Sequence, residues 1–227
     1  MRQRRWHLKT AVTYSVGGYP HVVKVADFNH DGKQDLVNAN HNTNTVSVLL
    51  GRGDSTFQSA LFYDIGGGNA WGVAVGDFNR DGKVDIAVTN WTLNNIGVLL
   101  GNGDGTIFKE VVVYGVGILP TGIDVGDFNR DGNPDIANAN YNSNTVTVSL
   151  GKGDGTFKSA VSYNVGAYPY FVAIIDINGD GRQDIINSIS DSNTILAGNG
   201  DGTFQPCYYS LRMPLVLLQW ISMVWNS

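Results

Sequence analysis

The chain has 227 residues, 29 of them glycine, and a formal charge of −5 at neutral pH. Its single glutamate is Glu110, so the acidic residues are otherwise all aspartate, and a Gly-, Asp- and Asn-rich composition favours turns over helix interiors. A mildly acidic chain with one cysteine, Cys207, offers neither a basic surface for nucleic acid nor an intrachain disulfide.

The first ten residues, MRQRRWHLKT, are basic but lack the apolar core of a secretory signal. Residues 10–16 (TAVTYSV) alternate as a strand does. A first unit follows, with strands predicted at residues 23–26, 35–40, 45–50 and 60–65, and Gly or Asn clusters at every junction. The unit then repeats. The segments VADFNHDGKQDLVNAN, VGDFNRDGKVDIAVTN, VGDFNRDGNPDIANAN and IIDINGDGRQDIINSI lead with Asp27, Asp77, Asp127 and Asp176, at spacings of 50, 50 and 49 residues. A Gly-rich turn keeps the same phase from Gly51, Gly101, Gly151 and Gly198, as does a Tyr three residues before a Gly, from Tyr14, Tyr63, Tyr114 and Tyr163.

Four-stranded units of this length predict an all-β fold: a β-propeller-type array of four blades, either whole or a fragment of a larger, seven-bladed ring. The fourth unit is two residues short between Asp184 and Gly198, which predicts a stunted third strand, and it shows no fourth strand after Phe204. Residues 10–16 are expected to supply that strand on ring closure, hiding two edges that otherwise invite pairing with other chains.

Each repeat carries an oxygen-rich loop. In Asp27-Phe-Asn29-His-Asp31-Gly32-Lys33-Gln-Asp35, side-chain oxygens fall at positions one, three, five and nine. Gly32 permits a sharp turn, and Lys33 offers its backbone carbonyl. Six or seven oxygens suit Ca²⁺, with the position-nine Asp completing the shell; magnesium fits less well because it keeps a near-ideal octahedral shell with water. The set recurs at Asp77, Asn79, Asp81 and Asp85, at Asp127, Asn129, Asp131 and Asp135, and at Asp176, Asn178, Asp180 and Asp184. Three crowded carboxylates repel one another without a cation. Position twelve is Asn38, Val88, Asn138 or Asn187, which disfavours an EF-hand, since that loop needs a bidentate Glu there.

At these residues the chain resembles the FG-GAP/VCBS repeat family, the repeats of integrin α-chain propellers and many bacterial surface proteins. The D-x-N-x-D-G-x-x-D loop, the GDGTF turn and the segment Tyr14-Ser-Val-Gly17-Gly-Tyr-Pro20 carry the resemblance, which covers residues 9–206. It implies a propeller with about four Ca²⁺ in hairpin loops on one face. The ligands it implies are the sixteen side chains above, with the carbonyls of Lys33, Lys83, Asn133 and Arg182. Family roles are adhesion, carbohydrate binding and surface display. Two features depart from the pattern: four blades where seven are common, and Gly68-Asn69-Ala70 where the other repeats have Pro20, Pro120 and Pro169.

The ends break the repeat grammar. Residues 1–8 and 207–227 read either as out-of-frame translations of a longer array or as natural ends, the apolar C-terminal tail then packing on the open array. Pro214, Gln219 and Ser222 interrupt that tail, which is too short to span a bilayer.

Smaller candidates are weaker. Arg52-Gly53-Asp54-Ser55 spells an integrin-recognition tripeptide, but repeat drift explains it. His7, His21, His30 and His41 read as surface residues, since no second chemical partner recurs with them, and Cys207 has no base nearby in sequence. Trp91 and Tyr141, beside Asn-rich turns, are candidates for stacking on a sugar; Trp71 reads as blade packing.

The expectation is a non-enzymatic, extracellular binding or adhesion module with structural calcium and a glycan or protein ligand. Self-association through open blade edges is a further expectation. The alternatives are an accessory propeller of a secreted hydrolase and a non-autonomous fragment. The chemically rich residues are all repeated, as scaffold residues are, which argues against catalysis.

Overall fold

The computed structural model describes residues 11–105, 108, 110–206 and 210–211. Its sheets are four, each with four antiparallel strands in sequence order. The first blade is β1 (Pro20–Ala26), β2 (Asp35–Asn40), β3 (Thr45–Leu49) and β4 (Leu61–Asp64). The second is β5 (Ala70–Gly76), β6 (Asp85–Asn90), β7 (Asn95–Leu99) and β8 (Val112–Gly115). The third is β9 (Pro120–Gly126), β10 (Asp135–Asn140), β11 (Thr145–Ser149) and β12 (Val161–Asn164). The fourth is β13 (Phe171–Ile175), β14 (Asp184–Ser188), β15 (Asn193–Leu196) and β16 (Ser210–Leu211). Strand β15 has four residues where its counterparts have five, the stunting that the shortened repeat predicts.

Each blade is a meander because its strands are joined by local loops, residues 27–34, 41–44 and 50–60 in the first blade, that return the chain to the adjacent strand antiparallel. Alternation then gives every sheet two apolar faces. Val37, Ala39, Val46 and Val48 of the first blade pack against Val73, Ile86 and Val88 of the second, with Phe28 at one end. The same layering recurs between the second and third blades around Ile96, Val98, Ile123 and Ile136. It recurs again between the third and fourth around Val146, Val148, Val172 and Ile185. The core is thus a series of sheet-on-sheet seams.

Polar ties repeat at each seam. The turn residues Asn44, Asn94 and Asn144 adopt the left-handed conformation, with φ of 54°, 56° and 58°. Each accepts at its side-chain oxygen from a backbone N–H of the next blade: Asn69 at 2.9 Å, Leu119 at 2.9 Å and Tyr168 at 3.0 Å. At the other end Tyr114 packs edge-on to Phe157, and Tyr163 to Phe204, at centroid distances of 5.3 and 5.4 Å. The inner strands curve far enough for the Lys24 ammonium to lie 3.8 Å from the Asp124 carboxylate, two blades away.

One expectation fails. Within residues 11–16 there is no strand, and the edge of β15 is paired by β16 of the C-terminal segment instead, through Asn193–Leu211 and Thr194–Ser210. The N-terminal segment lies against the first blade, not the last: the Phe57 N–H donates to the Tyr14 hydroxyl at 3.0 Å, and the rings meet edge-on at 5.5 Å. Tyr14 therefore occupies the place that Tyr114 and Tyr163 take toward the blade after their own. The rest of the predicted tail, with Cys207, lies outside the described residues, as do residues 1–10 with His7.

Candidate functional site

The four Asp-rich loops are the β1–β2, β5–β6, β9–β10 and β13–β14 turns, and all lie at one end of the blades. In the first, Asp27 accepts from the N–H groups of Asp31 (3.2 Å) and Gly32 (2.8 Å). Asn29 accepts from the Asp31 N–H at 3.1 Å and Asp31 from the Lys33 N–H at 2.9 Å. Asp77, Asn79 and Asp81 repeat these bonds, as do Asp127, Asn129 and Asp131. Asp176, Asn178 and Asp180 complete the series. These are Asx-type turns, in which a short polar side chain caps its own following backbone. Gly32, Gly82, Gly132 and Gly181 have φ near 80°, and an added Cβ would meet little there, so glycine serves the backbone conformation, not space.

The position-nine aspartates behave differently. Asp35, Asp85, Asp135 and Asp184 are wholly buried. Both oxygens of each are engaged: Asp85 accepts from the N–H of Phe78 and of Gly101, each at 2.8 Å. Asp35 does the same with Phe28 and Gly51, Asp135 with Phe128 and Gly151, and Asp184 with Ile177 and Gly198. The partner glycine is required by space. A Cβ on Gly101 would stand 2.2 Å from the Val84 carbonyl oxygen. Burial, opposed by these hydrogen bonds and reinforced by the neighbouring loop carboxylates, raises the pKa of Asp85 and of Asp135 to about 6. The carboxylate therefore pins the loop to the second hairpin of its blade.

The loop ligand atoms at positions one, three and five are all oxygen and lie on one short arc, half-buried at position one and exposed at position five, a set that fits a hard divalent cation. Among the described residues, no three Asp, Glu, His or Cys side chains converge as the ligands of one ion. The loops hold their shape through backbone N–H bonds, and the Lys33 ammonium sits 2.9 Å from Asp31, holding that carboxyl below its usual range. Lys83 stands similarly by Asp81, and Arg182 by Asp180. Asn133 has no charge to offer, and there Asn129 donates to Asp131 at 2.8 Å.

The opposite end of the blades is chemically distinct. Its turns contain no lysine or arginine among the described residues, whereas Lys33, Arg80, Lys83, Arg130 and Arg182 all lie in the Asp-rich loops. There Trp71 stacks on Trp91 at 4.6 Å, Trp91 meets Tyr141 at 5.8 Å, and Tyr141 meets Tyr168 at 5.0 Å. His21 lies 4.0 Å from Trp71 and stacks on His41 at 4.9 Å. Tyr19 and Tyr170 extend the patch on either side. Sequence reasoning found Trp91 and Tyr141, and set Trp71 aside as packing although it belongs to the same surface. It missed the tyrosines and the histidine pair. The signal was in the repeat register. Six residues before the leading Asp stand His21, Trp71 and Tyr170, and fourteen after it stand His41, Trp91 and Tyr141.

The Arg52-Gly53-Asp54 segment is an ordinary member of its repeat. Asp54 accepts from the Thr56 N–H at 3.0 Å and from its hydroxyl, as Asp154 does from Thr156.

A family model described as an FG-GAP-like repeat matches residues 27–88, 78–138 and 127–187. No curated protein sequence matches the chain. Among solved structures, a lectin from Agrocybe aegerita that recognises non-reducing terminal N-acetylglucosamine is 23% identical, with a TM-score of 0.55, over 85% of this chain and 52% of its own. The periplasmic gluconolactonase of Pseudomonas aeruginosa is 16% identical, with a TM-score of 0.63, over 86% and 55%. Virginiamycin B lyase from Staphylococcus aureus is 17% identical, with a TM-score of 0.55, over 86% and 56%. The chain spans little more than half the length of these structures, and at such identity the likeness is one of fold.

Proposed function

The chain belongs to the FG-GAP-like repeat family, and from that premise we propose that it is a non-catalytic, calcium-binding repeat module that presents a ligand-binding surface outside the cell. One observation carries the reading. The same arc of side-chain oxygens at positions one, three and five is built four times on the same hydrogen-bonded turn. Asp27, Asn29 and Asp31 would hold the first ion, with the carbonyl of Lys33; the other three loops would use the corresponding residues. Asp35 and its counterparts would act as pins at the rim of the shell. A bound Ca²⁺ would neutralise the crowded carboxylates and clamp each hairpin, and millimolar calcium outside cells fills even weak loops of this kind.

No helix among the described residues is long and apolar enough to cross a membrane. A secreted or surface-attached array, with glycan or protein as its ligand, is the context in which the calcium loops make physical sense.

Calorimetric titration of the full chain with CaCl₂ tests the proposal. Heat of binding is expected, with a rise in melting temperature that chelator reverses, because a ligand that binds only the folded state stabilises it by mass action. No heat and an unmoved melting curve would reject it.

A further inference from the structure

We propose that the aromatic surface opposite the Asp-rich loops is a binding platform for a neutral oligosaccharide, read chiefly by Trp91, Tyr141 and Tyr168. This deepens the proposed binding role by naming its site and ligand class.

Aromatic side chains are usually buried by packing, and here the backbone holds several of them out. Trp91 and Tyr141 open the turns after β6 and β10, and each donates its N–H to the next element back: Trp91 to the Asn69 carbonyl and Tyr141 to the Leu119 carbonyl, both at 3.0 Å. Tyr168 has φ of 55° and its N–H is fixed by Asn144, so its ring is directed outward and is 48% exposed. Tyr19, the counterpart in the first repeat, is 66% exposed. Four repeats thus place rings on one end, in contact with one another and still facing solvent.

The chemistry of the surface selects its occupant. With no lysine or arginine in the surrounding turns, it carries no fixed positive charge to attract an anionic polymer at neutral pH. Asp191 is the only carboxylate in the turns that follow the second strand of each blade, so a cationic peptide gains little charge complementarity. The rim consists of neutral hydrogen-bonding groups: Asn42, Thr43, Thr92 and Asn142 are exposed. Apolar ring faces beside uncharged donors and acceptors match the two faces of a pyranose, one lined by C–H groups and one edged by hydroxyls. A proline-rich peptide also docks on aromatic side chains, but it needs a groove between them. Here the rings fill the gaps themselves: Trp71 and Trp91 are already stacked, inclined by 22°, and Tyr141 leans on both Trp91 and Tyr168.

Affinity electrophoresis of the calcium-loaded full chain tests the proposal. The probes are soluble neutral polysaccharides (hydroxyethyl cellulose, glycol chitin and galactomannan), with heparin and a polyproline peptide as comparators. Retardation by at least one neutral polysaccharide is expected, weakened at least tenfold by Trp91→Ala and preserved by Trp91→Phe. Tyr168→Ala removes an exposed ring and leaves the core intact; it is expected to weaken retardation with an unchanged melting curve. No retardation by any of the three overturns the proposal, as does retardation that survives both alanine variants, or preferential binding of heparin or polyproline. Calcium uptake is measured on the same preparation, so failure of the loops and failure of the aromatic face are read separately.

Discussion

The imidazole Nε2 of His30 lies 2.9 Å from the carbonyl oxygen of Gly82, joining the Asp-rich loop of the first blade to that of the second. The contact requires the proton on Nε2. His30 stands at loop position four, and the same position makes the same reach again: Arg80 donates to the Asn133 side chain at 3.4 Å, and Arg130 to the Gly181 carbonyl. The left-handed backbone at these residues, with φ of 56° to 59°, turns the side chain toward the neighbouring loop. The second, third and fourth loops are thus each held partly by the blade before them.

With calcium bound as proposed above, this arrangement would couple adjacent loops. Arg130→Ala removes one hydrogen bond to the fourth loop, and to the extent that calcium tightens this bond the variant loses at most about 1 kcal/mol, or roughly fivefold, in affinity. Calcium titration of this variant is expected to show one site weakened by up to that factor. Because coupling between two sites is reciprocal, the third site should weaken as well once the fourth is saturated. An isotherm that overlays the wild type would show that the loops are independent.

The buried aspartates give a prediction that holds without metal. Asp85→Asn leaves one oxygen for two backbone donors and turns an amide N–H₂ toward the other, inside a site with no exposure. An unsatisfied buried donor costs about 1–3 kcal/mol. In chelator, where loss of a metal ligand contributes nothing, urea unfolding of this variant should show a lowered midpoint with an unchanged slope. An unchanged midpoint would mean that the pin carries no load.

The repeat made most of this legible in advance. The second strand of the first blade, Asp35–Asn40, has the bounds that alternation and the flanking loop predict, because its ends are set by the Asp pin and the Asn turn. The fourth strand of the last blade was misplaced for a definable reason. Residues 10–16 carry a strand-like pattern, but pattern names a face and not a partner, and the Tyr14–Phe57 contact draws that segment to the first blade. The loops were readable because each is local in sequence. The aromatic surface is only half readable, because it joins residues from different repeats: Trp71 reads as packing within its own strand, and only the fold brings Trp91 to stack on it.

His21 gives the aromatic surface a pH dependence. Burial, with a smaller contribution from the facing His41, lowers its pKa; the Tyr19 and Trp71 rings complete its surroundings. A histidine whose folded pKa lies below its unfolded value of 6.5 contributes stability that is complete above that value and is lost as pH falls through the folded pKa. The raised aspartates work in the opposite sense. Asp85 and Asp135, at about 6, favour the fold below their unfolded value of 3.8 and lose that contribution as pH rises through about 6. The histidine effect is therefore read as a difference between proteins. On acidification from about pH 7.5 to 5.5, the wild type should lose more melting temperature than His21→Phe. Parallel curves would remove His21 from the account.

The outer face of the first blade differs from its counterparts in exposure. Val23 and Val25 are 48% and 51% exposed, whereas Val73, Ile123 and Val172, which correspond to Val23, are 0%, 5% and 8% exposed. Those three lie in seams between blades, whereas among the described residues no sheet packs against Val23. Val73→Lys places a charge in a closed apolar seam and should cost about 3 kcal/mol or more, whereas Val23→Lys should change stability by no more than about 0.5 kcal/mol. Chemical denaturation of the two variants checks the contrast. The same bare face is where another blade would dock, since Tyr14 already stands against Phe57 as the tyrosine of a preceding blade would. Sedimentation velocity across a concentration series is expected to show self-association in the wild type that Val23→Lys suppresses without loss of stability. A wild type that stays monomeric at every concentration, or a variant that associates as strongly, would mean that this face does not pair with a second copy.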